Sequence, residues 1–414
     1  MLKRIKNPAR ILTFDTKGSG RKKGVAAADP AAVEGHDLVI ENGLIKDLIP
    51  SGFRLNTPHK AIDAKGKLVL PGFVECHTHT LFTGDRSAEF KMKLEGRSYD
   101  EIAASGGGIV STMKAVRAAG EKTLRDLLLK RVDSFIAQGV TTLEIKSGYG
   151  LDHESELKML RVINSVRKLR PVDVVPTFLG AHTVPPEHKG NRRKYLDILT
   201  SLLLPEIAKE GLAKRCDAFC ESSAFTPEEV EQVFTKAMEL GFQLTLHTEQ
   251  FNNTGGLELA LRLGAKSVDH LEVLKDEQIP LLAASDTVAV LLPGVSWTLD
   301  YDYAPARKLL DAGATVALAT DYNPGTSNIN SIFLIMALAA RKMKMSVQEI
   351  LASYTINSAA ALGMSGTTGS IEPGKVADIA ILNVAHEDQI IYNTGQNLNS
   401  TTISGGKIIY NKSN

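Results

Sequence analysis

Between residues 68 and 366, eight short apolar runs alternate with longer helix-prone stretches, and this repetition restricts the fold more than any other feature. The runs lie at about 69–79, 140–146, 172–179, 216–221, 242–247, 267–270, 287–292 and 315–321. Between the first two fall a helix-prone stretch at 98–104 and a longer predicted helix over about 110–138. Strands joined through helices lie parallel, and eight such units close into a (β/α)8 barrel. A barrel of this kind carries its chemistry at the carboxyl ends of its strands.

The flanks read differently. Residues 1–67 hold short alternating runs at 9–13, 36–40 and 44–49, bounded by turns at Asn42-Gly43 and Ser51-Gly52. The far end repeats the strand pattern at 376–382, 390–392 and 407–410. The first flank is too poor in apolar residues to form a core alone. The expectation is therefore an α/β chain: a TIM-like barrel over 68–366 inserted into a small β-sandwich built from both termini, 1–67 and 367–414.

Charge and cysteine content narrow the partners. With 48 basic against 47 acidic residues, there is no bulk field to attract nucleic acid or an anionic membrane. No apolar run approaches the roughly 20 residues of a membrane span. Met1-Leu2-Lys3-Arg4-Ile5 lacks the apolar segment of a secretory leader. Cys76, Cys216 and Cys220 cannot make a disulfide framework and suit a reducing compartment. A soluble, cytoplasmic protein is expected, with neither nucleic acid nor membrane as partner.

His77 and His79 sit two apart at the end of the first run, so both imidazoles project to one face and can chelate one ion. His247 ends the fifth run, His270 the sixth and Asp321 the eighth. Alone, His247 reads as a hydrogen-bonded core histidine and Asp321 as a helix cap. Five such residues at strand exits of one barrel point instead to a borderline divalent ion, zinc or ferrous iron.

Several stretches resemble a known family. His77-Thr78-His79 after Leu70-Pro71-Gly72-Phe73, with His247, His270 and Asp321, resembles the metal-dependent amidohydrolase superfamily. So does Pro373-Gly374-Lys375-Val376-Ala377-Asp378 in the terminal sandwich. Phe82-Thr83-Gly84-Asp85-Arg86, Gly96-Arg97-Ser98-Tyr99, Ser105-Gly106-Gly107-Gly108, the stretch from Glu144 to Leu151 and that from Thr320 to Thr326 resemble the imidazolonepropionase family. The resemblance implies hydrolysis of 4-imidazolone-5-propanoate to N-formimidoyl-L-glutamate by a metal-bound hydroxide. It implies one divalent metal ion, Zn2+ or Fe2+/Fe3+, on His77, His79, His247 and Asp321. His270 would then activate water and polarise the carbonyl, and Asp321 would also pass a proton to the leaving nitrogen.

Arg86 is the expected fork for the propanoate carboxylate, the alternative being a surface salt bridge with Asp85 or Glu89. Tyr99, Tyr149 and His182 match further substrate contacts; Asn323, Gly325 and Thr326 match positions that would meet the product's carboxylate. Gln250 stands where some members of the family carry Glu. An amide there can bind ring nitrogens but cannot act as a base, and adjacent Glu249 is expected to face away. Lys146 ends the second run rather than the fourth, so a single ion is expected rather than a pair bridged by a carboxylated lysine. Gly106-Gly107-Gly108 has no following G-K-[ST] and reads as a lid or turn. Trp297 either lines the pocket or packs. Look-alikes are commonly dimers, so a homodimer is expected. The alternatives are another cyclic amidohydrolase or heterocycle deaminase of the superfamily, and an inactive scaffold, which would be expected to have lost its ligands.

Overall fold

The computed structural model describes residues 1–97, 101 and 107–412. Seven described strands precede the barrel: β1 (Leu2–Lys6), β2 (Arg10–Leu12), β3 (Ala32–Val33), β4 (His36–Glu41), β5 (Leu44–Pro50), β6 (Lys60–Asp63) and β7 (Leu68–Pro71). Eight more make the barrel: β8 (Phe73–Glu75), β9 (Val140–Lys146), β10 (Asp173–Ala181), β11 (Arg215–Cys220), β12 (Gln243–Thr248), β13 (Ser267–His270), β14 (Val288–Leu291) and β15 (Val316–Leu318). The chain ends in β16 (Ile379–Leu382), β17 (Asn399–Ser404) and β18 (Lys407–Asn411).

β8 to β15 follow one another in sequence order, each pair parallel. Helices between them cover the outside, as the alternation predicts. Register then sets the level of the chemistry. Phe219 on β11 pairs with His247 on β12, and Thr248 pairs with His270 on β13. The last strand meets the first just beyond their ends, where Thr78 bridges in parallel to Tyr322.

Both termini contribute to the remaining sheets. One runs β5-β4-β1-β6; the other runs β18-β17-β16-β7-β2-β3 and so mixes the two ends of the chain. Ile5, Leu38 and Ile40 from the first face Ile11, Val69, Ile379 and Ile403 from the second in one buried cluster, the core of a small sandwich.

The apolar run at 69–79 is divided. β7 pairs with β16 and β2 in the terminal sheet, and only β8 enters the barrel beside β9. Gly72 makes the crossing: a Cβ there would lie 2.2 Å from Thr141 Oγ1, so the backbone passes directly over that side chain. Two further departures concern helices. The single helix predicted over 110–138 is two, Ile109–Ala118 and Glu121–Ile136. Lys158 Nζ donates to the carbonyls of Val116, Arg117 and Ala119, satisfying the first helix where it stops. Residues 390–392 are not a strand but lie in the helix Asp388–Tyr392, begun by Gln389 Oε1 accepting from the Ala385 and His386 amides. The helix-prone stretch at 98–104 lies, except for Glu101, outside the described residues. No described helix is long and apolar enough to cross a membrane.

Candidate active site

Four ligand-type atoms converge at the carboxyl end of the barrel. His77 and His79 lie just past β8, His247 on β12, and Asp321 three residues past β15. His77 Nε2 and His79 Nε2 are each 3.4 Å from Asp321 Oδ1, and His247 Nε2 is 3.3 Å from His79 Nε2. All four residues are buried, and His77 Nε2 and Asp321 Oδ1 have no hydrogen-bond partner. Buried polar atoms without partners are costly, and three nitrogens with one carboxylate oxygen at this spacing suit a divalent cation. Burial, reinforced by nearby Lys146 and other histidines, holds His77 and His79 well below the usual imidazole range, in the neutral form that ligates.

A second layer fixes those imidazoles. His77 Nδ1 lies 2.6 Å from Asp269 Oδ2, and His247 Nδ1 lies 3.0 Å from Asp217 Oδ2. Each contact turns the opposite nitrogen inward. Beneath both carboxylates sits Lys146, fully buried, its Nζ 2.8 Å from Asp217, 2.9 Å from Glu144 and 3.8 Å from Asp269. Burial alone would discharge this ammonium, but Asp217, Glu144 and Asp269 keep it above the ordinary lysine range. Burial likewise works against the Asp217 charge, yet His247 and Lys146 hold that carboxyl below its usual range. A lysine so paired is a counter-ion rather than a carboxylated bridge. Asp217 and Asp269 were not singled out in the sequence; the signal was an acidic residue within each of two apolar runs.

Around this centre the backbone is strained. Glu249, His270, Leu271 and Asp321 have φ of 54°, 86°, 69° and 47°, conformations that non-glycine residues adopt sparingly and that cluster at functional sites. His270 Nδ1 is 3.4 Å from the buried carboxylate of Glu272, which the sequence reading also missed. Burial opposes the His270 charge, but Glu272 and then Asp321 and Asp269 raise its pKa above the usual value. His182 stacks on His79 with ring centroids 5.1 Å apart, its Nδ1 2.9 Å from the Gly148 carbonyl. Tyr149 is buried with its ring 5.8 Å from His79. Gln250 Nε2 donates to Tyr301 Oη at 3.3 Å. Glu249 is turned away, its Oε1 accepting from the Leu257 amide. Trp297, on the helix Pro293–Leu299, is 52% exposed.

At the mouth, Arg86 Nε donates to Glu89 Oε2 at 2.8 Å. This is the expected alternative partner, but the pair is enclosed rather than on the surface, with side chains 11% and 12% exposed. Asn323 Oδ1 accepts from the Gly325 and Thr326 amides at 2.8 and 2.7 Å, and Asn323 Nδ2 donates to Asp321 Oδ2 at 2.9 Å. The three positions form one tight loop hung from Asp321. Glu89 Oε1 also accepts from the Gly108 amide, tying that turn to the same wall. Tyr99 and Gly106 lie outside the described residues.

The model of the Amidohydrolase family matches residues 68–409. The chain is 43% identical over 413 residues to an imidazolonepropionase of Clostridium tetani, covering 99% of this chain and 98% of that one. It is 42% identical to an imidazolonepropionase of Bdellovibrio bacteriovorus, covering 98% and 96%. Among solved structures, a triazine hydrolase from Arthrobacter aurescens superposes with a TM-score of 0.72 at 18% identity, covering 100% and 95% of the two chains. A zinc-bound adenosine deaminase from Xanthomonas campestris gives 0.71 at 17%, covering 98% and 92%. At such identities these two structures attest the shared fold.

Proposed function

The chain belongs to the imidazolonepropionase family of the amidohydrolases, and we propose that it hydrolyses 4-imidazolone-5-propanoate to N-formimidoyl-L-glutamate in histidine degradation. The observation that carries this is the convergence of His77, His79, His247 and Asp321 beside His270, with Arg86 at the mouth. Similarity over nearly the whole length of curated relatives supports it.

His77, His79 and His247 through Nε2, with Asp321 through Oδ1, would hold one divalent ion, zinc or iron. Their buried, converging atoms, of which His77 Nε2 and Asp321 Oδ1 lack partners, fit such an ion. When bound, it supplies Lewis acidity and lowers the pKa of water towards ~7. Water adds across the cyclic C–N bond, its oxygen going to the ring carbonyl carbon and a proton to the departing nitrogen. His270, with Nδ1 turned to Glu272, keeps Nε2 for the carbonyl and the attacking water. Asp321 relays the proton to the nitrogen. Arg86 takes the propanoate carboxylate through its fork. Tyr149, His182 and Gln250 frame the ring, Gln250 as a hydrogen-bonding group only, and Tyr99 is assigned a further substrate contact from the family resemblance alone. Asn323, Gly325 and Thr326 shape the wall met by the product's carboxylate. We also infer a cytoplasmic homodimer, the location being supported by three unpaired buried cysteines. The composite sandwich of 1–67 with 367–414 and the barrel of 68–366 are inferred as its two units, a division that the separate sheets support except at β7 (Leu68–Pro71), which pairs into the sandwich.

The test is turnover of freshly generated 4-imidazolone-5-propanoate, followed by mass spectrometry of N-formimidoyl-L-glutamate. Metal-stripped protein and His270→Ala run alongside. Metal-dependent product that the variant fails to make supports substrate, reaction and activating histidine together. Metal-replete protein that makes no product removes the substrate assignment.

A further inference from the structure

Three side chains of one helical turn and its flank form an unbalanced charge cluster at the barrel mouth. Arg86 precedes the helix Ser87–Leu94, which carries Glu89 and Lys93. Glu89 is fully engaged, with Oε2 accepting from Arg86 Nε and Nη2 and Oε1 from the Gly108 amide. Lys93 Nζ donates to the Gly325 carbonyl at 3.1 Å, and among the described residues it makes no salt bridge. A Cβ on Gly325 would lie 2.2 Å from Arg86 Nη1, so the guanidinium rests directly on that glycine. Arg86 and Lys93 therefore both meet Gly325. That glycine belongs to the loop that Asn323 hangs from Asp321.

We propose that Lys93 is a specificity-determining residue that pairs with Arg86 as the second prong of a clamp on the substrate's propanoate carboxylate. The inference rests on the functional assignment above and adds a residue to it. Enclosed Arg86 and half-buried Lys93 have one described carboxylate near them, Glu89, which bonds only Arg86, so the cluster is short of one negative charge, and the substrate brings one. The prongs leave Arg86 Nη1 and two of the three Lys93 N–H bonds without a described protein partner, enough to hold both oxygens of a carboxylate. Burial first, and then the charge of Arg86, draws the Lys93 ammonium below the ordinary lysine range, as befits a cation awaiting an anion. A purely structural Lys93 would serve only to anchor the helix to Gly325.

Steady-state kinetics on 4-imidazolone-5-propanoate with metal-replete wild type, Lys93→Met and Lys93→Arg decides the matter, together with competitive inhibition by N-formimidoyl-L-glutamate. Lys93→Met is expected to raise KM and the product inhibition constant about tenfold with kcat within about twofold, and Lys93→Arg to restore both. If wild type turns the substrate over and Lys93→Met keeps KM and the inhibition constant, the clamp is overturned while the function stands. A Lys93→Met that loses kcat and melting temperature together, with KM unmoved, marks a structural anchor and also overturns it. If wild type makes no product, the functional assignment falls and the clamp falls with it.

Discussion

The Asp321 amide donates to the His77 carbonyl at 3.1 Å, and the His79 amide donates to the Tyr322 carbonyl at the same distance. These bonds close the barrel between its last and first strands. They join the same residues whose side chains converge as ligands, so barrel closure and ion site share one seam. An ion that draws Asp321 to His77 and His79 holds the seam shut. Stripping the ion should therefore raise amide hydrogen exchange at His79 and Asp321 more than at His247, which lies inside a paired strand. At a free ion concentration about 1,000 times Kd, binding adds about 4 kcal/mol to stability. Exchange that rises equally in all strands would separate closure from the site.

Lys146 is the cation nearest the cluster of Asp217 and Glu144, Arg215 reaching only Glu144 and at 3.7 Å. Its Nζ lies within 2.9 Å of both Asp217 and Glu144, and all three side chains are fully buried. Lys146→Met keeps the stem but strands the carboxylates, and breaking a buried ion pair by removing one partner costs about 3–5 kcal/mol. Chemical denaturation should show a loss of that order. A loss under about 1 kcal/mol would mean the carboxylates find other partners.

Asp269 touches His77 Nδ1 at 2.6 Å but lies one layer out from the ligand nitrogen. Asp269→Asn should preserve the volume yet free the imidazole to rotate or change tautomer. Affinity for the ion is expected to fall about 10–100-fold, measured by competition with a chromogenic chelator. Unaltered affinity would show that packing alone orients His77.

Glu272 stands to His270 as Asp269 stands to His77, although at a longer 3.4 Å. Glu272→Gln should lower kcat with little change in KM, because the carboxylate faces the histidine. His270→Ala should cost about 10²–10⁴ in kcat. Adding Glu272→Gln to His270→Ala should then cost nothing more, as a double-mutant cycle would reveal. A further loss in the double variant would give Glu272 a role independent of His270.

What could be read in the sequence was local or periodic. The two-residue strand period put His77 and His79 on one face, and the βα repeat brought His247, His270 and Asp321 to a common rim. What escaped depends on contacts between distant segments. Lys146 finds Glu144 on its own strand, but its partners Asp217 and Asp269 come from other strands, aligned with it by register. The break after Ala118 is set by Lys158, which comes from the helix His153–Val166 on the far side of β9. The crossing at Gly72 follows from the Thr141 side chain beneath it. The Ile390-Ile391-Tyr392 triplet was too short for its apolar pattern to distinguish strand from helix.

If Lys93 clamps the substrate, carboxylate binding must favour its charged form, and pH becomes a direct probe. The ammonium is already held below its ordinary value of 10.5 by burial and by Arg86, only partly offset by Glu89. As pH rises through that lowered value, the free enzyme loses the Lys93 proton before an exposed lysine would. The substrate must then restore it in order to bind. KM for wild type should therefore climb on the alkaline side, starting below pH 10.5, while it stays level at pH values where the lysine is fully charged. Arginine keeps its charge throughout this range, so Lys93→Arg should abolish the climb while leaving any alkaline change in kcat in place. A KM profile identical in wild type and Lys93→Arg would assign the alkaline limb to another group and leave Arg86 as the sole cation of the subsite.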